Sequence, residues 1–226
     1  MPPLHRHQLV HLSASGWAGV LDQPQVPLAR SCLTFWAQND LPLVVTRQPD
    51  GRAASSAPAM LALGLPAPTA WQRLRLALQV PATAVAWLDE FPAASQVMRL
   101  LPAAARAPMQ QLLADLAAVS CPARVHGSHG WQLVSGQDCL RPGSDLDLCL
   151  PVREAAQADA VVTALAAQER SALPRLDGEL TWPDGSAVAW REWAAWRAGR
   201  TREVLVKRLH GVALERPEHR LARERA

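Results

Sequence analysis

The chain has 226 residues, 49% of them hydrophobic, and a formal net charge of +3. That allows one large domain or two small ones and a substantial core, and it excludes global disorder. The small charge, without a dense Lys/Arg stripe, argues against nucleic acid or a membrane surface as the partner.

The N-terminal stretch "MPPLHRHQLVHLSASGW" has no apolar run of signal-peptide length, and nothing in the chain approaches a membrane span. The four cysteines, Cys32, Cys121, Cys139 and Cys149, include no C-x-x-C pair. Reduced thiols in a cytoplasmic protein are therefore expected. His5, His7 and His11 do not have the spacing of a zinc site and read as structural or exposed.

Leu41 to Arg47 reads as a strand ended by a Pro-Asp-Gly turn, with Arg47 at its end as a candidate phosphate or CoA contact. In "WQRLRLALQV", Leu74, Leu76, Leu78 and Val80 alternate with polar or small residues, which predicts a half-buried strand. A short helix over Ala93–Leu101 follows. Met109, Leu112, Leu113, Leu116 and Val119 then predict a helix with Pro108 in its first turn, blocked at Pro122.

The rest reads as alternating α and β. "ARVHGS" is a strand entering a Gly-Ser turn, "HGWQLVSG" a short helix and "SDLDLCLPV" a strand. Glu154 to Arg170 is an amphipathic helix. "RLDGELTW" and "AVAW" are strands joined by "PDGS", and "REWAAWRAG" is a helix ended at Gly199. "EVLVKRLHGVAL" is a last strand, alone or followed by a helical turn. The fold class is thus mixed α/β: residues 1–88 a small β-rich N-terminal domain, 89–214 a mixed-sheet catalytic domain with flanking helices, and 215–226 a charged tail.

The chemistry concentrates in "RPGSDLDLCL", residues 141–150. Strand alternation puts Leu146, Leu148 and Leu150 on one face and Asp145, Asp147 and Cys149 on the other. Adjacent carboxylates on an apolar strand repel and resist desolvation unless a cation joins them. Mg²⁺, with Mn²⁺ as the alternative, takes such oxygen ligands together with substrate phosphates. Two ions about 3.5–4 Å apart would clamp the attacking and leaving oxygens of a phosphoryl transfer. Upstream, Gly127 and Ser128 open a predicted helix, where backbone N–H groups can receive phosphate. Downstream, Asp177 in "RLDGEL" follows at βαβ spacing and can supply a third carboxylate from a neighbouring parallel strand; Glu179 shares its face. Lys207, the sole lysine, is a candidate phosphate-binding charge. Arg141 is a weaker candidate, and His126 and His129 flank the Gly-Ser pair. Of Trp131, Trp182, Trp190, Trp193 and Trp196, most read as core, with one free to stack on adenine.

The order strand, Gly-Ser, helix, Asp-x-Asp strand, helix, strand with Asp resembles the nucleotidyltransferase superfold. Within it, "RVHGSHGWQLVSGQDCLRPGSDLDLCL" is similar to the malonate decarboxylase holo-acyl-carrier-protein synthases, or phosphoribosyl-dephospho-CoA transferases. The matching residues are Gly127, Ser128, Trp131, Ser135, Gly136 and Ser144 to Leu148, with weaker likeness in "RHQLVHL", "PLVVTRQ", "DGSAVAWREW" and "VLVKRLHGVAL". His129 and Gly130 depart from the pattern.

The resemblance implies an enzyme that moves the phosphoribosyl-dephospho-CoA group from 2'-(5''-triphosphoribosyl)-3'-dephospho-CoA to a serine of the apo acyl-carrier subunit of malonate decarboxylase. Diphosphate is released. It implies Asp145, Asp147 and Asp177 as metal-holding catalytic residues and Gly127 and Ser128 as the diphosphate cradle. The alternatives are another metal-dependent nucleotidyltransferase using an ordinary NTP, and a non-catalytic module on a relic fold.

Overall fold

A computed structural model describes residues 4–49 and 59–216. Most of the expected Pro-Asp-Gly turn and most of the charged tail fall outside them. The chain divides into two compact units. One comprises Met1–Phe91 with Val134–Cys139 and Leu209–Gly211. The other comprises Pro92–Leu133, Leu140–Arg208 and the C-terminal segment from Val212.

The first unit is an antiparallel sheet with two helices. Its strands are β1 (Leu9–Leu12), β2 (Leu43–Val45), β3 (Met60–Pro66), β4 (Arg75–Pro81) and β5 (Val85–Asp89), in the order β4-β3-β2-β1-β5. The alternation predicted for β4 holds, with Leu78 and Val80 buried and Arg75, Ala77 and Gln79 exposed. The helices α1 (Ala14–Leu21) and α2 (Pro27–Gln38) are not among the elements expected from sequence. Ser13 caps α1, its hydroxyl accepting from the Gly16 N–H at 3.1 Å. Pro27 opens α2, whose Ala29, Cys32, Leu33 and Trp36 are buried at helical spacing. In the core of the unit, Gln48 replaces a strand neighbour for Ala62, donating to its carbonyl at 2.8 Å and accepting from its N–H at 2.9 Å.

The second unit opens with a 3-10 turn over Ala94–Arg99, close to the short helix expected there. Helix α3 (Ala103–Ala118) carries Pro108 in its interior. This corrects the expectation of a start at Pro108. The Ala-rich run after Pro102 is a strong helix former, and it tolerates one lost backbone hydrogen bond because Ala105, Met109, Leu112 and Leu116 are buried on one face. Next come β6 (Arg124–Val125), α4 (Gly127–Ser135), β7 (Leu146–Pro151), α5 (Ala155–Ala167), β8 (Leu176–Thr181), β9 (Ala187–Ala189) and α6 (Trp190–Arg197). The chain then forms β10 (Val204–Lys207) and β11 (Val212–Glu215) as an antiparallel hairpin. "EVLVKRLHGVAL" is therefore two strands rather than a strand and a helical turn. Glu215, expected in the tail, closes β11 and is ion-paired to Arg208.

The sheet order is β11-β10-β9-β8-β7-β6. Strands β7 and β8 are parallel and joined across α5, and the other described pairs are antiparallel. This is the βαβ unit that the spacing of Asp147 and Asp177 predicts. Leu146, Leu148 and Leu150 are all 0% exposed. Each contributes about 1.5–3 kcal/mol by burial, which fixes the face of β7 that the aspartates must take.

Candidate active site

The site is built where the C-terminal end of β6 meets the N-terminal ends of β7 and β8. Strand β6 runs antiparallel to β7, and the His126 N–H donates to the Asp147 carbonyl at 3.0 Å. The next residue, Gly127, turns the chain with φ of 58° and begins α4. A Cβ at Gly127 would lie 1.8 Å from Asp147 Oδ2. The glycine therefore does two things: it adopts a left-handed conformation costly to other residues, and it makes room for the carboxylate. Ser128 follows in the first turn of α4, where helix N–H groups lack intrahelical partners.

Asp147 and Asp177 are register partners across the parallel pair. Both side chains are half-buried, on the face opposite the leucines. The fit of β7 to β8 depends on Gly178, whose Cβ would meet the Leu148 carbonyl oxygen at 2.6 Å. Asp177 Oδ1 accepts from the Gly178 N–H at 2.9 Å, which fixes its rotamer.

Asp145 immediately precedes β7. Its Oδ2 accepts from Arg175 Nη1 at 3.1 Å. Its backbone carbonyl accepts from His129 Nδ1–H at 3.0 Å. His129 is 4% exposed. Burial pushes its imidazole below the ordinary value, opposed by the hydrogen bond to the Asp145 carbonyl, so the ring works as a neutral donor. His129 thus positions Asp145 from beneath, a role the sequence does not announce.

One step further along the same face, Cys149 pairs in register with Glu179. Glu179 is buried and ion-paired to Lys207 Nζ at 2.6 Å. Lys207 thus carries the counter-charge of a buried carboxylate, with part of its side chain still exposed. Of the two acidic residues of "RLDGEL", Glu179 is paired to Lys207 and Asp177 lies in register with Asp147. Arg47, in the first unit, is exposed just past β2. Arg141 is exposed, its N–H held by Ser144 Oγ at 3.0 Å.

The donor chemistry of Asp145, Asp147 and Asp177, all hard carboxylate oxygens, fits a divalent cation of the Mg²⁺ type. Among the described residues, however, no three His, Cys, Asp or Glu side chains are gathered into one group able to hold a metal ion. The contacts show what engages the outer two: the Arg175 guanidinium lies on Asp145, and the Gly178 N–H on Asp177.

A family model described as the phosphoribosyl-dephospho-CoA transferase MdcG C-terminal domain matches residues 92–218, and the corresponding N-terminal domain model matches residues 5–91. The chain belongs to the phosphoribosyl-dephospho-CoA transferase family. It is 35% identical over 212 residues to the phosphoribosyl-dephospho-CoA transferase of Bradyrhizobium diazoefficiens, covering 94% of this chain and 90% of the relative. Identity to the enzyme of the same name from Xanthomonas campestris pv. campestris is 35% over 209 residues, 92% of each chain. For that of Xanthomonas euvesicatoria pv. vesicatoria it is 37% over 203 residues, 89% of each. No solved structure matches the chain. As a member of this family the protein is a transferase enzyme. The domain models meet at Phe91 and Pro92, the point where the first unit's long N-terminal segment ends. Among the described residues, no helix is long and apolar enough to cross a membrane.

Proposed function

We propose that this transferase moves the phosphoribosyl-dephospho-CoA group from triphosphoribosyl-dephospho-CoA to a serine hydroxyl of the apo acyl-carrier subunit of malonate decarboxylase, in the cytoplasm. The observation that carries the reading is the in-register pairing of Asp147 with Asp177, with Gly127 vacating the space beside Asp147. In a member of this family, that arrangement suits transfer at the α-phosphorus of a triphosphate.

The serine oxygen forms a bond to the α-phosphorus, and the bond from that phosphorus to the bridging oxygen breaks. Diphosphate departs with the bridging oxygen and its electron pair. A Mg²⁺ or Mn²⁺ ion held by Asp145, Asp147 and Asp177 would supply positive charge to the phosphate oxygens. The residues do the rest. Asp177, fixed by the Gly178 N–H, keeps one oxygen to accept the serine proton. The first turn of α4, with Gly127 and Ser128, offers N–H and hydroxyl donors to the departing diphosphate. His129 and the His126 N–H hold the backbone carbonyls of Asp145 and Asp147, so the carboxylates do not reorganise during the step. The Lys207–Glu179 pair lies on the strand face that carries Asp177.

The test is mass spectrometry of the purified apo acyl-carrier subunit after incubation with the protein, Mg²⁺ and triphosphoribosyl-dephospho-CoA. The expected result is one added phosphoribosyl-dephospho-CoA on a single serine. A mass shift with ATP in place of that donor, and none with the donor, would establish ordinary nucleotidyl transfer instead.

A further inference from the structure

Arg175 is the cation that the structure places on Asp145. It immediately precedes β8, and its carbonyl accepts from the Leu146 N–H at 2.9 Å, which places it across from Asp145. Its side chain makes one hydrogen bond, to Asp145 Oδ2, and is 62% exposed. Arg175 also lines a cleft of about 370 Å³ shared with Arg191, Glu169 and Leu173. The two arginines of the cleft differ in freedom. Arg191 is tied to Glu169 and to the Leu176 carbonyl, and its guanidinium lies 4.2 Å from the centre of the Trp190 ring. An exposed single-bond ion pair such as Arg175–Asp145 holds weakly and exchanges readily.

We propose that Arg175 is a movable counter-charge for this site. It neutralises Asp145 while no cation is bound, and it passes to the donor's polyphosphate when a divalent ion takes Asp145. The inference rests on Asp145 as a cation ligand. Guanidinium and metal ion compete for the same carboxylate, whereas a guanidinium released beside an occupied site faces a polyphosphate that it can grip with two parallel N–H bonds. Binding of cation and of polyphosphate is thereby coupled through one side chain, and each favours the other.

The experiment uses the full chain with two probes. Mn²⁺ alone is titrated by water-proton relaxation, and inorganic triphosphate is titrated by calorimetry at saturating Mg²⁺. Arg175→Gln is expected to tighten Mn²⁺ about two- to fivefold, by removing a competitor of surface ion-pair strength. The same substitution is expected to weaken the Mg²⁺ complex of triphosphate about tenfold, by removing a charge-assisted contact. Arg175→Lys should restore part of both effects. Opposite signs from one substitution are not produced by a merely structural role. The proposal is overturned if Arg175→Gln leaves both affinities unchanged or moves them in the same direction. If the wild type binds Mn²⁺, and Asp147→Asn abolishes that binding, the metal reading stands whatever Arg175→Gln does. If the wild type binds no Mn²⁺ with triphosphate present or absent, the metal reading itself fails.

Discussion

Asp147 and Asp177 sit directly across from each other on the parallel strands β7 and β8. Strand neighbours lie about 4.7–4.9 Å apart, so two like charges here are held together by the fold against their repulsion. Neutralising one should not unfold the protein. Asp147→Asn and Asp177→Asn are each expected to lower the transfer rate at least a hundredfold, about 2.7 kcal/mol in barrier. Melting temperature is expected to stay level or rise. Carrier modification followed by mass spectrometry, with thermal unfolding alongside, checks both halves. Near-normal transfer in either variant rejects the assigned roles.

Gly127 tests the same carboxylate from the other side. A methyl group there meets Asp147 Oδ2 at 1.8 Å, and the residue's φ of 58° disfavours any side chain. Gly127→Ala is expected to cost about 1–2 kcal/mol from the backbone alone. Displacing Asp147 should also lower transfer as severely as Asp147→Asn does. The measurements are denaturant unfolding and the carrier assay. Retained activity in Gly127→Ala would show that the Gly-Ser turn does not govern the position of Asp147.

The Lys207–Glu179 pair makes a stability prediction independent of the reaction. Glu179 is 8% exposed overall. Lys207→Met leaves a buried carboxylate without its 2.6 Å partner. A loss of about 1–3 kcal/mol is expected, the cost of removing a charge-assisted hydrogen bond from a buried carboxylate. The double variant Lys207→Met, Glu179→Leu should recover most of it, because the buried carboxylate is removed together with its partner. Equal stability of the single and double variants would mean that Lys207 does not serve Glu179.

The sequence carried the catalytic unit further than its neighbour, for physical reasons. "SDLDLCL" has one possible strand register, because three leucines must be buried together, and that alone orients both aspartates. The interval to Asp177 then suits one strand-helix-strand unit. What the motif could not show was pairing with partners distant in sequence. Lys207 looked free until the hairpin of β10 and β11 brought it to Glu179. His129 looked like a departure beside Gly127, yet its burial turns it into the donor that holds the Asp145 carbonyl. In the first unit, α2 went unread, although Ala29, Cys32, Leu33 and Trp36 recur at helical spacing after Pro27. The interior Pro108 misled in the opposite direction. Proline marks helix starts on average, but the stronger helix formers from Ala103 onward override it.

The cysteines supply a last prediction, one that reports on the exposed face of β7. Burial pushes the thiols of Cys32 and Cys121 up to about 12, the latter with a smaller contribution from Cys149, and it also raises that of Cys139. At neutral pH these three thiols hold negligible thiolate, and all three are buried. Cys149 is half-exposed on the same strand face as Asp147, with its Sγ 3.7 Å from Thr181 Oγ1. Ellman's reagent added to the native protein at pH 8 should therefore react first at one thiol. Cys149→Ser should remove that fast phase, while unfolding in guanidinium releases the remaining thiols together. Bulky modification at Cys149 places a group beside Asp147 and Glu179, so transfer should fall in step with the fast phase and be spared in Cys149→Ser. A fast phase that survives Cys149→Ser would show that one of the buried thiols, Cys32, Cys121 or Cys139, opens to solvent in the native protein.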